Sequence, residues 1–235
     1  MCLFFLWASD WWKQREASKI IFDAYGIDIP RAYEIHGIDV SKYQGNIAWE
    51  KVQEMHVNNI KLDFAFIKAS EGISNTDPFF QRNWQRARKA GMIRGAYHFF
   101  IASKNGKQQA DHFINTVNIE LGDLPPVLDV EQKNGRTSAQ IKKEVKSWLE
   151  KIENHYQVKP IIYTNVDFYN KNLGEEFDEY PLWVAHYFQS SGPRISRKWN
   201  FWQHSERGRV DGIGHRVDFN VFNGDVNEFK DLLVK

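Results

Sequence analysis

The chain has 235 residues, 42% of them hydrophobic, which is enough for one large core and fits a barrel of roughly 200–250 residues folding as a single unit. A formal net charge of +1 argues against nucleic acid as the main partner, because phosphate binding shows as a basic excess. The single cysteine, Cys2, excludes an intrachain disulfide and a cysteine metal site.

Met1–Trp12 is an apolar run, MCLFFLWASDWW, with no basic leader. It is shorter than the about 20 apolar residues that span a bilayer. It reads as the remnant of an export or membrane segment, and so predicts an extracytoplasmic protein, whether secreted, periplasmic or membrane-anchored. Lys13–Pro30 reads as a short amphipathic lead-in. The predicted organisation is an extension over residues 1–33 and one barrel domain over 34–235.

Within the domain, the strands Gly37–Ser41, Phe64–Ala69, Arg94–Phe100, Val127–Glu131 and Lys159–Asn165 alternate with helical patterns. Ile47–Asn59 has apolar residues near helical spacing. Pro78–Ala90 starts after Asp77, a good cap with proline at the first helical position, and stops at Gly91. Gly106–Leu121 is a third helix. Ala139–Tyr156 follows a Thr137-x-x-Gln140 capping box and aligns Ile141, Val145, Trp148, Leu149 and Ile152 on one face. Such alternation implies parallel strands and right-handed crossovers. The last third differs: Leu182–Tyr187, Asn200–Ser205 and Arg216–Phe222 are strands with no helical stripe between them, and Val226–Lys235 reads as a closing helix. The predicted fold is α/β, an irregular TIM-like barrel of the form (β/α)5(β)3.

The chemistry concentrates at strand ends, where such barrels carry their sites. Asp129 and Glu131 end Pro125-Pro126-Val127-Leu128-Asp129-Val130-Glu131 and share one face of the strand, with Leu128 and Val130 on the other. Two close carboxylates push one pKa up, leaving an acid beside an anion, which glycosidic cleavage needs. Asp39, and Asp218 with Asn220, alternate with apolar residues on the first and last strands. Barrel closure makes those strands neighbours, so four acids converge on one mouth. The alternative is that some of them only cap helices or pair with Lys68 or Arg216. Aromatic residues, 15% of the chain, suit sugar faces as well as the core. The histidines show neither a His-x-His on the first strand nor a His-Glu-x-x-His, which argues against a catalytic metal. His98 is either a core residue or a substrate ligand.

Several segments together resemble the glycoside hydrolase family 25 lysozymes, the Chalaropsis-type muramidases. They are His36-Gly-Ile-Asp39-Val-Ser-Lys-Tyr-Gln44-Gly45, Phe66-Ile-Lys68-Ala-Ser-Glu71-Gly72 and Gly95-Ala-Tyr97-His98-Phe99. The series continues through Leu128-Asp129-Val-Glu131, Ile162-Tyr163-Thr, Leu182-Trp183-Val-Ala-His-Tyr187, Trp202-Gln203-His and Val217-Asp218-Phe-Asn220. The resemblance runs from about His36 to Gly224. It implies a barrel that hydrolyses the β-1,4 bond between N-acetylmuramic acid and N-acetylglucosamine in peptidoglycan glycan strands, as a monomer without cofactor or metal. It further implies Glu131 as general acid, Asp129 as its partner, and Asp39 and Asp218 as supporting acids. Tyr97, Tyr163, Trp183, Tyr187, Gln203 and Asn220 are the implied substrate-binding residues. Two rival readings are a non-catalytic peptidoglycan-binding barrel and a metal-dependent hydrolase of amides or phosphates.

Overall fold

A computed structural model describes residues 23–189 and 191–235. The apolar run Met1–Trp12 and most of the lead-in lie outside the described residues. Eight strands form the barrel: β1 His36–Val40, β2 Ile60–Glu71, β3 Ile93–Phe99, β4 Val127–Asp129, β5 Ile161–Asn165, β6 Leu182–Ala185, β7 Phe201–Gly208 and β8 Val217–Phe222. Each pairs with the next, and β1 pairs with both β2 and β8, which closes the ring. All pairings from β1 through β7 are parallel. β8 differs, running antiparallel to both β7 and β1.

Five helical segments follow the first five strands. They are α1 Trp49–Glu54, α2 Phe80–Lys89, α3 Gly106–Thr116, α4 Ser138–Tyr156 and the short turns spanning residues 166–177. They cover the outward side chains of the sheet, among them Ile38, Ala65, Leu128, Val130, Ile162 and Val184. The capping box that opens α4 forms as the sequence implies, with the Thr137 side chain accepting from Gln140 N and the Gln140 side chain from Thr137 N. Two predicted helices are shorter than expected. α1 stops because the chain turns at Asn58, which has φ +56, and His56–Val57 pairs back onto Ile60–Lys61. α3 stops at Thr116, where Val117 turns to extended backbone at the start of a stretch rich in β-branched residues.

Strands β7 and β8 have no helices of their own. Their outward faces are covered instead by the strap formed by residues 23–35. Tyr25 packs edge-on against Phe219 at 5.5 Å, donates its hydroxyl to Ile60 O at 3.1 Å, and accepts from Arg209 N at 2.8 Å through its carbonyl. Tyr33 meets Trp202 and Trp199 at 6.0 and 5.8 Å. A final helix, α5 Val226–Leu232, carries a second capping box, Asp225 with Glu228, that sequence reading had not singled out. Its Phe229 plugs the end of the barrel opposite the mouth, against Phe64, Phe201 and Phe222.

The barrel interior is aromatic. Phe66 stacks on Trp183 at 4.3 Å, and Phe64 meets Phe66 edge-on at 5.5 Å. Glycine makes the room: a Cβ on Gly37 would lie 2.5 Å from the Phe64 ring, and one on Gly95 2.6 Å from the Phe66 ring. Two residues further along those strands stand Asp39 and Tyr97, so a packed aromatic layer lies directly under a polar one.

Tyr25 tests the strap. Tyr25→Ala is expected to lower the unfolding free energy by about 3–5 kcal/mol, the usual cost of deleting a buried aromatic ring. Tyr25→Phe, which loses only the hydroxyl bond, is expected to cost about 1 kcal/mol. Urea denaturation of the two variants checks both.

Candidate active site

Reversal of β8 places its start, rather than its end, at the mouth. Asp218 therefore stands directly opposite Asp39. A parallel last strand would carry it to the other end of the barrel. The expected meeting of Asp39 and Asp218 occurs, by a strand direction the sequence reading did not anticipate.

Asp39 is buried and accepts two amide hydrogen bonds on Oδ2, from Gln203 Nε2 and Asn220 Nδ2, each at 2.8 Å. Both amides are themselves oriented. The hydroxyls of Tyr163 and Tyr187 donate to Gln203 Oε1 at 2.9 and 2.6 Å. Trp183 Nε1 donates to Asn220 Oδ1 at 2.8 Å. Five of the six residues expected to bind substrate thus form one network around Asp39. Trp183 and Asn220 lie under the floor and act through that carboxylate. Tyr163 and Tyr187 add ring surface beside it, and Tyr97 lines the barrel close by.

The acids interact strongly. Burial raises Asp39 above the usual carboxylate range, while the bonds from Asn220, Gln203 and Asp218 act the other way. Asp218 is pushed up to about 9, first by burial and then by the charge of Asp39. Asp39 has the amide donors and Asp218 lacks them, so near neutral pH the proton resides on Asp218, which donates it to an ionised Asp39.

On the opposite side of the mouth, Asp129 ends β4 and Glu131 follows two residues later. Val130 N bonds Tyr163 O at 3.0 Å and keeps this stretch extended. Leu128 and Val130 face the helices and Asp129 faces the barrel, as alternation requires. Asp129 is held well above its ordinary pKa by burial and then by the charge of Glu131, and its Oδ1 has no hydrogen-bond partner. Glu131 is raised by burial and by Asp39, and opens onto a cavity of about 490 Å3 lined also by Lys133, Asn165 and Lys171. Lys68 opposes both shifts; it sits over the Phe99 ring and pairs with Glu71 at 2.8 Å.

His98 proves to be a core residue. It is fully buried on the outer side of β3, bonded to Ser70 Oγ at 2.8 Å and stacked on Trp148. His36 and His204 also sit on outward faces, near the strap, and His186 Nδ1 accepts from Arg194 N at 3.0 Å. The histidines are dispersed and do not converge on the mouth. Sequence reading passed over two aromatic side chains on mouth loops, Tyr43 after β1 and Phe188 after β6, whose exposure is 72% and 85%. Their positions just past strand ends were the available signal.

The shared proton has a pH consequence. A carboxyl raised on folding stabilises fully below its unfolded value, about pH 4, and that stability is lost as pH rises towards the folded value. For Asp218 the window reaches about 9. Buried neutral His36, His98 and His204 act with the opposite sign up to their unfolded value of about 6.5, so wild-type unfolding free energy is expected to fall between pH 7 and pH 9, and Asp218→Asn, which keeps an N–H donor towards Asp39, is expected to flatten that fall. Equal slopes in denaturant titrations across this range would contradict the shared proton.

Comparison with known proteins agrees with this geometry. The family model for glycosyl hydrolases family 25 matches residues 38–213. The Escherichia coli K12 protein YegX is 49% identical over 207 residues, covering 88% of this chain and 76% of that protein. Lysozyme M1 of Streptomyces globisporus is 35% identical over 209 residues, covering 81% and 68%. A family 25 glycosyl hydrolase structure from Bacillus anthracis superposes with a TM-score of 0.78 at 35% identity, covering 86% of this chain and 94% of that one. With its barrel and these relatives in agreement, the chain belongs to glycosyl hydrolase family 25 and is a glycoside hydrolase.

Proposed function

We propose that the enzyme is a lysozyme that cleaves peptidoglycan between N-acetylmuramic acid and N-acetylglucosamine, with retention of configuration and with the substrate's own acetamide as nucleophile. The observation that carries this reading is the placing of Asp129 and Glu131 two residues apart on one side of one strand, with Asp129 deep and Glu131 at the groove. Both acids then approach the sugar from the same side, whereas an inverting enzyme needs room for a water between acids on opposite faces.

Glu131 is the proton donor to the leaving oxygen. Without substrate, burial raises both carboxyls, and the charge of Glu131 raises Asp129 as well. Substrate changes that balance. The acetamide N–H supplies a donor for the Asp129 carboxylate, stabilises the ionised form, and leaves the pair's proton on Glu131. Asp129 then steadies positive charge as the acetamide oxygen attacks the anomeric carbon. An Asp129 carboxylate engaged by the acetamide N–H is held to orient the acetamide and not to attack the anomeric carbon itself, which supports the assisted route. Asp39, ionised beside protonated Asp218, keeps Glu131 raised. The extracytoplasmic location follows from where such a substrate lies, and one chain supplies every acid, which supports action as a monomer.

Glu131→Gln is expected to cut turnover about a hundred- to ten-thousandfold with the fold intact. Asp129→Asn is expected to lose comparable activity, and a turbidity assay on bacterial walls reads both. Activity requires one proton on the pair, so it is lost as pH rises through the raised Glu131 value, and the alkaline limb is expected above the usual carboxylate range. The anomer released at first turnover, followed by NMR, is expected to be the retained one; an inverted product would overturn the mechanism.

A further inference from the structure

A cavity of about 690 Å3 has a lining that does not include Asp39, Asp129, Glu131 or Asp218. It lies between the strap, the loop after β6 and the end of β7. Ile27 and Ile29 of the strap form one wall, Tyr187 and Phe188 another, and His204 and Arg207 a third. The volume falls within the about 300–1,000 Å3 of small-ligand sites. The strap wall precedes residue 38, where the family model's match begins.

Three observations tie this cavity to function. First, Tyr187 belongs to both sites: its ring lines the cavity while its hydroxyl donates at 2.6 Å to Gln203, which holds Asp39. Second, Glu206, also in the lining, is close enough to Asp218 and Tyr187 to act on both electrostatically. Third, Phe188 is held 85% exposed with φ +57, a left-handed conformation that a bulky residue adopts only at a cost of about 1–3 kcal/mol, and Arg207 lies 5.7 Å from its ring. Strain of this kind clusters at ligand clamps.

We propose that this cavity is a second binding site, continuous with the catalytic groove across Tyr187, that takes the stem peptide carried by the glycan. The inference rests on the lysozyme reading and deepens it. The lining chemistry selects a peptide over another sugar. Asp28 and Glu206 supply anions, Arg207 a cation, and Ile27 and Ile29 an apolar wall. The rings and neutral groups of the lining, Tyr187, Phe188, Gln189 and Ser205, suit sugar and peptide alike, whereas only a stem peptide, with its methyl groups, carboxylates and free amine, also uses the charges of both signs and the apolar wall. A glycan lying over Asp39 with a substituent directed past Tyr187 would deliver that peptide into the cavity.

The test compares wild type, Arg207→Ala and Asp28→Asn on glycan strands bearing their peptides and on the same strands stripped by an amidase. Wild type is expected to prefer peptide-bearing strands by about tenfold in kcat/KM, through KM. Both variants are expected to lose most of that preference while cleaving stripped strands at the wild-type rate. Equal wild-type rates on the two substrates, or variants that slow both equally, would overturn the proposal, the second result indicating a sugar subsite. Calorimetric titration with a free stem tetrapeptide carrying a diamino acid at its third position separates the two levels of inference. Binding to wild type that is lost in Arg207→Ala supports the peptide site even if neither strand is cleaved, an outcome that would sink only the lysozyme reading. Absence of peptide binding, with cleavage intact, sinks the peptide site alone.

Discussion

Asp39 is a buried carboxylate, and much of the mouth is arranged around keeping it charged there. A lone ionised carboxylate in a desolvated site would simply take up a proton. Two amides donate to it, two tyrosines and a tryptophan fix those amides, and a neighbouring acid surrenders its own ionisation to supply a third bond. The result is a fixed negative charge facing a strand whose two carboxyls must share protons. The aromatic layer beneath matters because it is dry and closely packed. It leaves the polar layer nowhere to relax, so the donors stay aimed whether or not a ligand is present.

The second constraint is geometric. Strands β7 and β8, with no helices laid on them, leave an apolar outer face that something must cover. Here the strap does this by laying Tyr25 and Tyr33 across Phe219 and Trp202. One segment therefore completes the core on its inner side and, a few residues further along, forms a wall of the cavity beside the groove. Stability and substrate-facing surface share a single short stretch of backbone.

Much of this was legible in the sequence because it is local. Alternation along Val127–Glu131 placed both acids on one face, and Thr137-x-x-Gln140 located the start of the longest helix. The direction of β8 was missed, although a signal existed. Only eight residues, 209–216, separate β7 from β8, and they hold two glycines. A parallel return needs a crossover of about a dozen residues or more, so this spacing already specified an antiparallel hairpin. Roles that depend on distant partners were not legible. Nothing near Gln203 or Asn220 reveals that their amides meet on Asp39, and nothing in residues 23–35 names Phe219 as their support. His98 stayed ambiguous for the same reason, since its partners Gln109 and Trp148 lie on helices that follow.

The distance along the chain between these partners bears on how the enzyme comes into being. Gln203 and Asn220 reach Asp39 across 164 and 181 positions. Contacts of such separation form late and slowly in folding, since the loop they close must be ordered before they return any energy. The first acid of the site is made early in synthesis, yet it lacks its donors until the eighth strand slots between the seventh and the first. Partly folded or truncated chains would hold the catalytic pair on β4 without the charge that poises it. Barrel closure thus acts as an arming step, and the hydrolase gains its competence only when the last strand is in place.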